Sequence, residues 1–313
     1  MTIVDWRGVD ARTLALVFAR ERARWLADLG WDTREAWLHI ERARTTWGLP
    51  GLAAVDEGGR VRGLTFFHDT NGRFDIGGVF ADSDRVRERL LETAISVCED
   101  AKAGEISTFF YSTDTATAGV LATRGFELEQ VDYLSLALDR AHITGTGRAL
   151  TTVACRGWQN DDVEALAGLL HVSYDPEAAR RFVPEVTPEG WRHYVSTLVT
   201  HGACGAVLPS MTRLAWSQNQ LVGAVLATDL GPATAHIAQV AVHPAWRRKG
   251  LAGDLIDEAV SRAMTSGYAR ITLLASAVNP SAQKLYRDRG FVATATFMAA
   301  SRQREAFRIE RAS

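Results

Sequence analysis

Apolar and polar positions follow the same order in two parts of the chain. Each part begins with a strand, a polar turn and a second strand, at residues 52–67 and 213–228. Apolar residues then recur with the spacing of one helical face, from Val86 to Cys98 and from Leu251 to Ala263. This pattern predicts, in both parts, a β-hairpin followed by an amphipathic helix that packs on a sheet.

The two parts also keep a nearly constant spacing. The second helix follows the first by 165 residues, and so does an identical Arg-Gly-Phe triplet at Gly125 and Gly290. The hairpins are only 160 residues apart, so five residues are missing from the first copy between its hairpin and its helix. These offsets indicate a duplicated unit. We predict two tandem domains, residues 1–143 and 150–313, with a joint near 144–147.

The order of elements predicts the fold class. Each copy has early helices (12–29 and 161–170), then the hairpin, a third strand and the amphipathic helix. A further strand (106–112 and 270–275), a short helix and a last strand complete each copy. We therefore predict an α/β fold in which each domain is a mixed, largely antiparallel sheet flanked by helices.

Composition excludes several classes of protein. Hydrophobic residues make up 47% and charged residues 23%, with a net charge of −2, which is typical of a globular protein without a general attraction to nucleic acid or anionic membranes. Arginines outnumber lysines but are scattered among acids, so codon usage in a GC-rich genome explains them better than RNA binding.

Cys98, Cys155 and Cys204 are widely spaced and predict neither disulfides nor a metal site. Without a secretory signal or membrane span, we expect a cytoplasmic protein.

The segment 235–263 carries the candidate chemistry. An apolar strand ends at Val242, and Arg-Arg-Lys-Gly-Leu-Ala-Gly at 247–253 leads into the helix. A glycine-rich helix entry exposes backbone N–H groups at the positive end of the helix dipole, which suits phosphate oxygens. The patterns GxGxxG and GxxxxGK[ST] are absent, which argues against a dinucleotide fold and a nucleoside-triphosphate hydrolase. The alternative is an ordinary basic connection between a strand and a helix.

This loop resembles the acyl-coenzyme A loop of the GCN5-related N-acetyltransferases (GNAT), whose pattern is [RQ]xxGx[GA]. Here the pattern reads from Arg247 through Gly250 to Ala252, and the stretch from Asn279 to Phe291 resembles the asparagine-to-RGF signature of the same family. The resemblance implies acetyl-CoA as cosubstrate and a primary amine of a small molecule or peptide as acceptor. Because no cysteine lies in the motif region, we expect direct attack by the amine.

The resemblance also implies roles for individual residues. The strand backbone would bind the pantetheine arm, the loop would cradle the diphosphate, Asn279 would contact the pantetheine, and Tyr286 would protonate the departing thiolate. The implied cofactor-binding residues are Val240, Ala241, Val242, Arg247, Arg248, Lys249, Gly250, Leu251, Ala252, Gly253, Asn279 and Tyr286. For Tyr286 the alternative is an aromatic residue of the core.

His236 is the candidate base. The attacking amine must be neutral, and imidazole accepts a proton near neutral pH. Some family members carry a glutamate or histidine base fourteen residues before the loop glycine, where His236 stands. Counting by two along the strand would place Ala238 and Val240 on the same face as His236. The alternative is a histidine that only ends a strand; His243, in the turn, is interpreted as structural.

The first copy lacks the loop. At the constant offset, Arg85 and Arg87 replace Gly250 and Ala252, and Asp82 replaces Arg247. Side chains then stand where close phosphate approach needs none, so we predict that the first copy binds no cofactor and serves as scaffold or as a wall of the substrate cleft. Five tryptophans in and near its early helices can line an acceptor pocket, join the copies or fill the core, and their helical spacing favours the core.

Two other functions stay open at this stage. A non-catalytic acyl-CoA-binding or sensor protein would keep the loop without turnover. A mycothiol-synthase-like acetyltransferase would share the tandem layout and an active second copy. Neither nucleic acid nor membrane is expected as a partner, and the protein is expected to be a monomer or a homodimer.

Overall fold

A computed structural model describes residues 1–140, 149–201, 204–231 and 233–304; the predicted joint near 144–147 lies outside them. The elements of the first copy are β1 (Thr2–Asp5), α1 (Ala11–Leu29), α2 (Arg34–Thr46), β2 (Gly51–Val55), β3 (Val61–Thr70), β4 (Arg73–Ala81), α3 (Asp84–Asp100), β5 (Glu105–Tyr111), α4 (Thr115–Thr123) and β6 (Glu127–Ala137). Those of the second copy are β7 (Ala154–Arg156), α5 (Val163–Ser173), α6 (Pro176–Ala179), α7 (Pro188–His201), β8 (Ala206–Val207), β9 (Arg213–Ser217), β10 (Gln220–Gly231), β11 (Thr234–Val242), α8 (Leu251–Thr265), β12 (Arg270–Ser276), α9 (Pro280–Arg287) and β13 (Val292–Gln303).

The predicted fold class is confirmed. Both hairpins form, as β2–β3 and β9–β10, and each is followed by a strand and an amphipathic helix. The apolar stripes that predicted α3 and α8 are buried in both helices. In each copy the described strand pairs are antiparallel except one parallel pair, β4–β5 in the first and β11–β12 in the second.

The strands of both copies form one continuous sheet. Its order is β1-β2-β3-β4-β5-β13-β6-β12-β11-β10-β9-β7, with β8 paired to β10. The last strand of each copy therefore lies in the half of the sheet built by the other copy. Strand β13 pairs with β5, β6 pairs with β12, and β6 and β13 pair with each other at the centre. The sequence predicts a last strand in each copy but not this exchange.

Helices cover both faces of the sheet. On one face α1 and α2 pack on the first copy and α5 and α7 on the second, while α3 and α8 pack on the opposite face. We call the face under α1, α2, α5 and α7 the front face. The tryptophans of the first copy divide between two of the roles considered for them. Trp6 and Trp37 pack in its core, Trp25 and Trp31 pack with Phe297 where the copies meet, and Trp47 is exposed.

Candidate active site

The sheet opens beside β11. Strands β11 and β12 pair in parallel only from Thr234 to Ile237, and the end of β12 continues beside β6 instead. A bulge at Ala238 falls at the same place, because Leu226 pairs with Gln239 while the next residue, Ala227, pairs with Ile237. The backbone of 238–242 that faces β12 is thus left without a described strand partner. It forms a wedge in which an extended ligand can pair with main-chain groups.

The glycine-rich loop has the conformation that an anion site requires. Gly250 is the residue that precedes α8, with a left-handed φ of +86°, and no side chain caps the helix. A Cβ at Gly250 would meet no atom within 4 Å, so the space before the first turn is open. Gly253 has a different reason to be glycine, since a Cβ there would overlap the guanidinium of Arg289. The first turn of α8 therefore presents its N–H groups to an open space beside the wedge.

The basic residues of the loop differ in what they contact. The Arg247 guanidinium donates to the carbonyl of Ser173, at the end of α5, and to the Val242 carbonyl at 3.3 Å. Arg247 therefore fastens the loop to α5. The Lys249 ammonium lies 5.1 Å from the centre of the Trp246 ring, and Arg248 has a φ of +62°. Phosphate recognition by this loop would rest mainly on backbone N–H groups, with Arg248 and Lys249 at its rim.

Asn279 immediately precedes α9 and Tyr286 lies on that helix, which follows β12. The Asn279 Oδ1 accepts from the Ala282 N–H at 3.0 Å and so caps that helix. Tyr286 is buried, with its ring edge-on to Phe291 at 6.0 Å between centres. Burial, with a smaller effect from Tyr174, raises the pKa of the Tyr286 hydroxyl above its usual value. Tyr286 therefore holds its proton at neutral pH, as a proton donor must, while also packing in the core.

His236 is enclosed rather than open to the wedge. It is 4% exposed, its Nδ1 lies 3.0 Å from the Thr272 hydroxyl, and its ring stacks on Tyr133 at 6.3 Å. Burial lowers the pKa of His236 to about 4, so the imidazole is neutral at pH 7 and a weak base. The expected alignment of His236 with Val240 is wrong, because the bulge at Ala238 breaks the alternation and Val240 packs on the α8 side.

The same bulge turns Gln239 to the front face, where sequence reasoning did not place a functional residue. Gln239 is 4% exposed; its Oε1 accepts from the Tyr174 hydroxyl at 2.9 Å and its Nε2 donates to the Tyr194 hydroxyl at 2.6 Å. The signal was available, since Gln239 is a lone amide in an apolar strand. Tyr133 had no such signal, because it reaches His236 only through the strand exchange.

The first copy keeps the wedge and closes the loop. Strands β4 and β5 pair only up to Ile76 and Thr108, and β4 is also bulged. The Arg87 guanidinium lies 2.8 Å from Asp84 and 3.1 Å from Asp114, the residue that corresponds to Asn279. It also donates to the Ala81 carbonyl at 3.4 Å. Arg87 thus places its own cation at the entry to α3. That the first copy binds no cofactor stays a prediction.

Among the described residues, no group of three or more histidine, cysteine or acidic side chains is arranged to hold a metal ion. No described helix has the length and apolar character needed to cross a membrane.

Comparisons with known proteins agree with this geometry. Residues 163–291 match the model of the acetyltransferase (GNAT) family. A GCN5-related N-acetyltransferase from Sphaerobacter thermophilus has a similar structure, with a TM-score of 0.69 at 16% identity over 96% of this chain and 95% of that one. A tandem GNAT protein from the clavulanic acid biosynthesis pathway gives a TM-score of 0.67 at 12% identity over 96% and 98%. Among curated proteins, none matches the sequence significantly.

Proposed function

Because residues 163–291 belong to the GNAT family and the chain has the tandem GNAT fold, we propose that this protein transfers acetyl from acetyl-CoA to a primary amine, in its second copy. The family and the fold support an N-acetyltransferase activity in general terms. The observation that carries the finer proposal is the wedge beside β11 together with the open, uncapped start of α8.

These two features fit the parts of acetyl-CoA. The main chain of 238–242 would pair with the amide groups of the pantetheine arm, and the N–H groups of Leu251, Ala252 and Gly253 would bind the diphosphate. Arg248 and Lys249 would add positive charge at the rim, and Asn279 would contact the pantetheine arm. The bound thioester supplies an acetyl group that is activated towards an amine.

The chain must also direct the protons of the reaction. An acceptor ammonium loses one proton before its nitrogen attacks the acetyl carbon, and the C–S bond breaks as the C–N bond forms. The nitrogen then loses a second proton, and the thiolate gains one to become the thiol of coenzyme A. The complete reaction therefore releases one proton to solvent. Tyr286 holds a proton at neutral pH and is the proposed donor to sulfur. His236 stays the predicted base, and its pKa of about 4 makes it a weak one.

Calorimetric titration of the full chain with acetyl-CoA tests the proposal. We expect one site, which is lost in Gly250→Asp because the new carboxylate occupies the space before α8. Gly267→Asp is the matched control: Gly267 follows the other end of α8, has a φ of +80° and also faces open space. Unchanged affinity in Gly250→Asp, or equal loss in both variants, would refute the assignment. Binding without coenzyme A release across a broad amine panel would favour a non-catalytic acyl-CoA sensor.

A further inference from the structure

A carboxylate of the first copy lies at the end of β12 in the second copy. Glu129 is on β6, and its Oε1 accepts from the Ser276 hydroxyl at 2.6 Å. Since Val131 pairs with Ser276 and side chains alternate along β6, Glu129 shares the front face with Val131 and Tyr133. The strand exchange therefore brings this carboxylate to the edge of the wedge, on the front face.

Arg181 pairs with the other oxygen of Glu129. It lies in the segment between α6 and α7, and the two side chains are 38% and 24% exposed. The Arg73 guanidinium of the first copy donates to the Arg180 carbonyl and so holds this segment against the first copy. A partly exposed cation and a partly exposed anion are thus held together across the boundary between the copies.

Arg181 also lines a cavity of about 340 Å³ between the copies. Its walls include the apolar Phe182 and Pro184, the ion pair of Arg73 with Asp75 at 3.1 Å, and Tyr194. Tyr194 connects the cavity to the wedge, because its hydroxyl bonds to Gln239 at the bulge. The volume falls in the lower range of small-molecule pockets.

The two arginines and two carboxylates that line this cavity or its edge balance in charge. Arg73 and Arg181 are matched by Asp75 and Glu129. Glu105, which also pairs with Arg73 at 4.0 Å, is buried and does not line the cavity. A polyamine or another polycation would need an excess of carboxylates, and an anionic acceptor would need an excess of cations. A paired guanidinium and carboxylate suits a ligand that carries both charges, since arginine binds carboxylates through two parallel hydrogen bonds.

Resting on the proposed function, we propose that the acceptor is an amino acid with an apolar side chain, bound between the two copies. Its ammonium binds Glu129, its carboxylate binds Arg181, and its side chain packs against Phe182 and Pro184, which line the cavity. Glu129 and Arg181 then exchange their mutual contact for contacts with the acceptor. The first copy thereby supplies the residue that receives the reacting amine.

The test compares amino acids with the amines that lack only the carboxylate. The full chain is assayed with acetyl-CoA and L-leucine, L-phenylalanine or L-tryptophan, each beside isoamylamine, phenethylamine or tryptamine, and with spermidine. We expect kcat/KM to be at least about tenfold higher for the amino acid of at least one pair, because only it engages Arg181.

Two variants separate recognition from a structural role. Arg181→Met should raise KM for the amino acid about tenfold and leave the matched amine within about twofold, whereas Glu129→Gln should raise KM for both. Arg192→Met, on an exposed arginine of α7, is the control and should change neither. An ion pair that only joins the copies would affect amino acid and amine equally.

Each other outcome overturns the inference. Preference for the amines or spermidine, or an equal effect of Arg181→Met on both members of a pair, shows that no acceptor carboxylate binds there. Turnover of none of these acceptors by a protein that still titrates one acetyl-CoA refutes the acceptor class and leaves the cofactor assignment intact. Absence of acetyl-CoA binding refutes the proposed function itself.

Discussion

Phe297 tests whether the exchanged strands make the two copies one folding unit. It belongs to β13 of the second copy, yet its ring contacts two aromatic rings on β5 of the first copy. The distance between ring centres is 4.5 Å to Tyr111 and 4.8 Å to Phe109. The ring of Trp25, on α1, lies nearby. Phe297 is 2% exposed. If this contact joins the copies energetically, Phe297→Ala should destabilise both.

The expected size follows from this burial. Replacing a buried phenylalanine by alanine costs about 3–5 kcal/mol, which includes the cavity that is left. The stacked and tilted ring contacts place Phe297 in the upper part of that range, since such pairs add about 0.5–1.5 kcal/mol beyond the area they bury. At about 2–4 °C per kcal/mol for a large domain, a loss of about 4 kcal/mol or more should lower Tm by at least about 8 °C.

Urea unfolding followed by circular dichroism and by tryptophan fluorescence measures this loss. We expect one transition, displaced equally in both signals, because tryptophans occur in both copies. Val292→Ala, on the same strand at 59% exposure, is the control and should change stability by less than about 0.5 kcal/mol. A loss below about 1 kcal/mol for Phe297→Ala, or a second transition that does not move, would refute the reasoning.

Three other predictions follow from the site. Burial lowers the pKa of His236 from an ordinary 6.5 to about 4, so the unfolded chain takes up a proton at a higher pH than the folded protein does. The free energy of unfolding should therefore fall by up to about 3 kcal/mol as pH drops from 6.5 to 4. In thermal melts at a series of pH values, His236→Gln should lose this dependence. Tyr133→Phe removes the hydroxyl 3.1 Å from the Leu29 carbonyl and should cost about 1–3 kcal/mol in urea unfolding, without weakening acetyl-CoA in calorimetry. Arg85→Gly should create no second acetyl-CoA site, because Arg87 still fills the entry to α3; a stoichiometry of two would contradict this.

Local features of the sequence predicted the local elements well. The apolar stripes of α3 and α8 and both hairpins depend on neighbours in sequence, so their periodicity was sufficient. The helix α7 was not predicted. The glycine at 250 was recognisable because a left-handed residue before an uncapped helix strongly favours glycine.

What the sequence did not predict depends on contacts between distant residues. A bulge adds one residue to a strand, and nothing in the period-two pattern of 234–242 marks where this happens. The misplacement of Val240 follows from that one residue. The burial of His236 arises likewise from Tyr133, which is more than a hundred positions away and arrives on an exchanged strand.

The exchange explains why losing the loop in the first copy need not make that copy dispensable. The Arg87 side chain obstructs only the entry to α3, beside the wedge between β4 and β5. Strand β6, in contrast, is a neighbour of β12 and supplies Tyr133 and Glu129 to the front face of the second copy. A chain without the first copy would leave one edge of β12 unpaired and the ring of His236 uncovered. The second copy therefore depends on the first for a complete sheet, whatever the first copy has lost of its own chemistry.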